Sequence, residues 1–313
     1  MSTYFPFLRG KQNELLALKL LASTIANRQT VVPIIEPVNS NNTTKGSFEK
    51  YVEEGMPFLF VANPKHGDYK GRSGDLHDDL LVDSVLSEYD NYIPTIHVNR
   101  GTRMQEVNSF NEKYDAPFRA VIYNAEPTVA AVRNWCLTDD RIYHHIFLDG
   151  SVSTAFTQNI GATRRVMVRD NFNRQTRNSD YPTEVEHFTD LNTTTGNPEN
   201  INWGDYSIIG DQFTDGGGAA LAVAIHHIHK SESTGALEIS HFLSDHQETT
   251  ANVSGKIIEA VQNLVNNLDG LLPNNTCACN IYREMAESRN SRGLGYLKRL
   301  AILHHLELML ADE

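Results

Sequence analysis

Cysteine is scarce in this chain, which holds only Cys136, Cys277 and Cys279. An odd number gives no disulfide framework, and one C-x-C pair without neighbouring ligands is a weak metal signature, so the three read as structural thiols. Positive charge is short as well. Lys and Arg number 27 against 39 acidic residues, a net charge of -12 that opposes unspecific adhesion to nucleic acid or to an anionic membrane. No apolar run approaches the roughly 20 residues needed to span a bilayer. The opening MSTYFPFLRGKQ lacks the order of a signal peptide, and a cytoplasmic location is expected. G-x-S-x-G, H-E-x-x-H and a P-loop lysine are missing too, which sets aside the corresponding hydrolase and nucleotidase classes.

What is present is a period. In a chain of 313 residues, 40% of them hydrophobic, short β-branched and apolar runs recur at 4–8, 31–35, 58–62, 92–98, 119–123, 144–148, 165–168 and 206–210. Amphipathic stretches such as 13–23, 76–89 and 128–136 fill the gaps. Eight β/α repeats predict an α/β fold of the (β/α)8, TIM-barrel-like kind over residues 1–215. The alternative is an open doubly wound sheet, disfavoured because no G-x-G-x-x-G turn follows the first strand. Beyond it, 222–230 and 237–245 read as a β-hairpin. If residues 230 and 237 pair, His226 lies opposite His241 and Ile228 opposite Ile239. Helical spacing over 252–268 and 294–310 completes a segment, 216–313, expected to pack on the barrel rather than stand as an independent domain.

In a β/α barrel the C-terminal strand ends share one rim, where active sites are built. Here those ends carry Arg9 and Lys11, Glu36, Asn63 and Lys65, Asn124, Arg169 and Asp170, and Asp211, with His97 near the end of the fourth strand. Helix capping accounts for Asp149-Gly150-Ser151 but poorly for Arg9-Gly10-Lys11 or Glu36-Pro37, since a cation opposes the dipole at a helix start. Arg9 and Lys11 beside Glu14 and Glu36 can bind a phosphoryl group with Glu36 or Glu14 as general base, or the carboxylates can hold a divalent metal. A rim ion-pair network without chemistry is the plain alternative. A Schiff base on Lys11 is disfavoured, because two nearby carboxylates hold the ammonium protonated.

The loops 63–75 and 170–182 are longer than the fold needs. Arg164, Arg165, Arg169, Arg174 and Arg177 fall close together and would suit an anionic ligand, or form a solvated basic face. Gly216-Gly217-Gly218 can cradle phosphate but reads better as a flexible link. Histidines pair at 144–145, 226–227 and 304–305. Neighbours diverge on strand or helix alike, so each pair offers at most one ligand to any site, and remote residues would have to converge.

The segments YFPFLRGKQNELLAL, VVPIIEPV, WGDYSIIGDQ and RNSDYP, with the AVAIHHIH/LEISHFLSD hairpin, resemble the beta-protein family of bacterial and phage proteins over nearly the whole chain. The resemblance implies a TIM-barrel-like fold and singles out Arg9, Lys11, Glu14, Glu36, Asp170, Arg177, Asn178, Asp180, Tyr181, Asp205, Tyr206 and Asp211. The family is largely uncharacterised, so membership implies neither substrate nor reaction. The opening is also similar to that of glycerophosphodiester phosphodiesterase barrels, except that Leu8 stands where they have a histidine. Two functions are therefore expected in competition. One is a barrel enzyme acting on a phosphorylated or anionic small molecule, by nucleotide or phosphodiester hydrolysis, with Lys11, Glu14, Glu36 and Asp211 catalytic and Arg9, Asn63, His97, Asn124, Arg169, Asp170, Arg177, Asp205 and Tyr206 binding substrate. The other is a non-catalytic recognition component of a phage-defence complex, holding a protein partner, or nucleic acid through the basic loop alone.

Overall fold

The computed structural model describes residues 3–82, 86–193, 202–214, 216 and 221–311. In chain order the strands are β1 (Thr3–Tyr4), β2 (Phe7–Leu8), β3 (Ile34–Ile35), β4 (Phe58–Val61), β5 (Tyr92–Val98), β6 (Arg119–Tyr123), β7 (Ile142–Leu148), β8 (Arg165–Arg169), β9 (Glu186–Thr189), β10 (Asn202–Asp205), β11 (Ala224–Lys230) and β12 (Leu237–Leu243). The helices are α1 (Gln12–Arg28), α2 (Asn42–Glu53), α3 (Ser73–His77), α4 (Met104–Lys113), α5 (Ala130–Thr138), α6 (Thr154–Thr157), α7 (Val253–Val265), α8 (Cys277–Ser288) and α9 (Leu294–Ala311). They fall into two compact units: residues 1–15, 22–170 and 195–206, and residues 16–21, 171–194 and 207–313.

The first unit holds a curled, nine-stranded parallel sheet in the order β1-β10-β8-β7-β6-β5-β4-β3-β2. Its strands are short and apolar. β4 (FLFV) and β6 (RAVIY) are buried at every position, the pattern of a parallel sheet covered on both faces. The expected strand at 206–210 is instead β10, four residues earlier, and 207–209 is a 3₁₀ turn. Two buried polar side chains hide β10 from a search for apolar runs. Asn202 donates to the Thr163 carbonyl at 3.0 Å, and Asp205 accepts from the Tyr4 hydroxyl at 2.7 Å. Ser207 then turns to a φ of 49°, which ends the extended run. The helix expected over 76–89 is also different, with α3 passing into a π turn at Asp78–Val82.

The second unit is built on an antiparallel sheet ordered β11-β12-β9. The hairpin has the expected register, with His226 opposite His241, Ile228 opposite Ile239 and Lys230 opposite Leu237. Its third strand, β9, comes from the 171–194 segment and lies outside the sequence expectation. α9 packs along β11 and α7 along β12, with α8 against both helices. α9 is buried nearly all round, from Leu297 to Leu310, as a core helix should be. Gly217 and Gly218 of the triple glycine lie outside the described residues.

Candidate active site in the first unit

Strand register brings the site together. Leu8 pairs with Ile35 across β2 and β3, so the residues that follow, Arg9 and Glu36, are neighbours. Val61 pairs with Thr95 across β4 and β5, which sets Asn63 opposite His97. Asn63 continues the ladder with its side chain, donating to the His97 carbonyl at 3.1 Å and accepting from the His97 N–H at 2.7 Å. At β8 and β10, Arg169 pairs with Asp205.

Glu36 is the centre of the cluster and is completely buried. One carboxylate oxygen accepts from the Arg9 guanidinium at 2.7 Å and the other from the Lys65 backbone N–H at 2.6 Å. Burial alone would raise its pKa. The positive charge of a protonated His97, that of Arg9, and the two hydrogen bonds outweigh burial and leave it below the ordinary carboxylate value. His97 itself is pushed down to about 4, chiefly by burial, so at neutral pH the cation beside Glu36 is Arg9. The guanidinium is held over the rings of Phe7 and Tyr206, 5.0 and 5.2 Å from their centroids. Lys65, half-buried, is lowered by burial, with Glu36 opposing and Arg9 reinforcing the shift.

His97 is oriented by Asn124, whose Oδ1 lies 2.8 Å from Nδ1. A proton on Nδ1 leaves the lone pair on Nε2. That nitrogen is buried, lacks a hydrogen-bond partner among the described residues, and sits 4.0 Å from a Glu36 oxygen. A neutral imidazole with a free lone pair beside an anchored carboxylate can take up a proton and have the resulting charge stabilised. Arg169, half-buried at the end of β8, has its Nε buried without a partner among the described residues and is a further donor for an anion.

Glu14 and Asp205, also expected at the site, are buried in hydrogen bonds. Glu14 is buried and accepts the Arg9 N–H at 2.7 Å and, more weakly, the Lys11 N–H at 3.5 Å. It thereby closes the first turn of α1, where Lys11 stands at the N-cap position and cannot accept a bond itself. Asp205 is fully buried on the Tyr4 hydroxyl, whose pKa burial and Asp205 raise well above its usual value. Asp170 is exposed after β8. Arg177 and Asp211 are exposed and belong to the second unit. Within the basic run, Arg164 donates to the Asp140 and Ile142 carbonyls, Arg165 to Ile160, and Arg174 to Gln212 and Thr214. Lys65 was legible only as a strand-end residue, since its backbone contact with Glu36 depends on the path of the 63–75 loop.

The hairpin histidines form a separate line within the second unit. His226 Nδ1 is 2.9 Å from His241 Nδ1, His241 Nε2 is 2.7 Å from Glu186, and Asn173 donates to Glu186 at 2.8 Å. Tyr181 packs its ring against both histidines, and Asn178 donates to the Ala222 carbonyl, so the RNSDYP segment supports the hairpin. For the expected divalent metal, Glu36 and His97 supply two donors. Among the described residues no third His, Cys or carboxylate joins them in a ligand group. The sequence matches no protein-family model, no curated protein and no solved structure.

Proposed function

We propose that the first unit is a closed (β/α)8 barrel enzyme that hydrolyses a phosphorylated or otherwise anionic small molecule at the mouth formed by Arg9, Glu36, Lys65 and His97. Closure is supported by the N-terminal segment, whose two halves, β1 and β2, are the two outer strands of the sheet. On one side Tyr4 donates to the Thr30 carbonyl and Val32 to the Tyr4 carbonyl, each at 2.9 Å. On the other, Phe5 donates to the Trp203 carbonyl at 2.8 Å. Gly204 fits the same reading, because a Cβ there would collide with the Phe5 carbonyl.

In this reading Arg9, Lys65 and Arg169 attract and orient the anion, and His97 Nε2 removes a proton from the attacking water. Glu36 fixes Arg9 and stabilises the imidazolium once it forms. The observation that supports this most is the buried, unpartnered His97 Nε2 held 4.0 Å from the Glu36 carboxylate.

The test begins with mass spectrometry of small molecules retained by the purified full chain, followed by turnover of whichever anion is found. His97→Gln should keep the fold and ligand binding while lowering kcat by about 100-fold or more, the range of a lost general base. Arg9→Met should raise KM instead. Hydrolysis that persists unchanged in His97→Gln, or a folded protein that retains and cleaves no anion, would overturn the reading.

A further inference from the structure

Three side chains from three elements meet in the interior of the second unit: His227 on β11, Cys279 in the first turn of α8 and His304 on α9. All are fully buried, and one ligating atom from each lies within 4.8 Å of the others. His304 is already oriented as a ligand. Its Nε2 lies 2.8 Å from the Ile228 carbonyl and must donate to it, so the neutral ring carries its lone pair on Nδ1. That lone pair faces the Cys279 sulfur at 3.6 Å. A tetrahedral ion with Zn–S of ~2.3 Å and Zn–N of ~2.0 Å requires an S···N edge of about 3.5 Å.

A purely packed core explains the cluster less well. The Thr276 hydroxyl, 2.9 Å from the same Nδ1, and the Cys279 thiol compete as donors for one lone pair. The His227 ring stacks on His304 with centroids 4.0 Å apart and planes 18° apart, so it must turn out of the stack to aim a lone pair at an ion shared with His304, but both of its nitrogens are buried without a partner among the described residues. A cation bound by one of them, with Cys279 as thiolate, removes both difficulties. Thr276 offers a neutral oxygen for the fourth position. Glu307, which accepts from the Cys277 and Ala278 N–H groups at 2.8 and 3.1 Å, supplies a carboxylate close to the charge that remains.

We propose that His227, Cys279 and His304 form a buried zinc(II) centre that ties the hairpin to the two C-terminal helices. With the His227, Cys279 and His304 side chains all buried it is a structural site, and its occupancy should add to the stability of this unit. It is independent of the chemistry assigned to the first unit.

The test uses the full chain, stripped with a chelator and titrated with zinc alone against a chromophoric competitor. One zinc per chain is expected, with a higher Tm on binding. Cobalt(II) in its place should show a thiolate-to-metal charge-transfer band and the strong visible absorption of a tetrahedral ion. Cys279→Ser should abolish the charge-transfer band and weaken zinc binding by at least about tenfold, whereas Cys277→Ser, at the exposed thiol two residues earlier, should change neither. Failure of the unaltered chain to compete for zinc, uptake of copper(I) but not zinc, or zinc binding that survives both Cys279→Ser and His227→Ala would each overturn the proposal.

Discussion

At Glu36, burial opposes ionisation, and a protonated His97, Arg9 and the hydrogen bonds from Lys65 and Arg9 favour it. A buried pair of this kind contributes little net stability against an apolar replacement, but removal of one partner strands the other. Arg9→Met should therefore destabilise the protein by about 3–5 kcal/mol at pH 7, and Arg9→Met combined with Glu36→Gln should recover much of that loss. Denaturant titration of both variants checks this, and equal instability of the single and double variants would show that the ion pair is not what holds the turn. The pH dependence has a definite sign. Because the folded pKa of Glu36 lies below its ordinary value, its ionisation stabilises the fold above the unfolded carboxylate pKa, and this contribution disappears as the pH falls through the folded one.

Among the elements, the β2–α1 junction is the most exacting. Gly10 has a φ of 61°, and a Cβ at that position would stand 2.7 Å from the Glu36 carbonyl and 3.1 Å from Pro37 Cα. Gly10→Ala should thus cost more than the ~1–2 kcal/mol of a left-handed residue alone, since it also pushes the end of β2 away from that of β3. A thermal melt that matches the unaltered chain would contradict this. In the hairpin, Ile239 is 2% exposed and faces Ile228 across the strand pair. Ile239→Ala should lower stability by about 2–5 kcal/mol, whereas a polar substitution at the exposed Glu232 in the connecting turn should leave the denaturation midpoint unchanged. The hairpin register was readable because a short turn and alternating residues determine pairing locally. β9 was not readable, because nothing in the 186–189 run announces which strand it will join.

On the scale of the whole molecule, acid is the condition that should matter most. Burial lowers His97 and His144 to about 4 and His145 to about 3, with Arg164 assisting at the last two. In the unfolded chain these groups protonate near pH 6.5. The neutral forms consequently stabilise the first unit fully above about pH 6.5, and the stability is lost as the pH falls toward 4, at up to about 1.4 kcal/mol per pH unit for each histidine. The charge of -12 at pH 7 vanishes over the same interval, since the isoelectric point is near 5.5. We expect Tm to fall steeply between pH 6.5 and 5, accompanied by aggregation in light scattering. A flat Tm across that range would mean that the buried histidines are protonated in the folded state.

The alternation of strands and helices, the strand positions from Phe7 to Arg169 and the pairing of His226 with His241 were determined by the sequence alone, because periodicity and short turns act over a few residues. So was the enrichment of charge at strand ends. Which charges meet was decided by the tertiary structure. Arg9 and Glu36 are 27 residues apart and Asn63 and His97 34 apart, and only the register of neighbouring strands brings them into contact. That Glu14 closes a helix turn was not legible from spacing, and β10 was concealed by polar residues that become buried only when their partners arrive. The meeting of His227, Cys279 and His304 belongs to the same class. One-dimensional spacing can limit each histidine pair to one ligand, but convergence is a property of packing, settled by how strand and helices bury their apolar faces together.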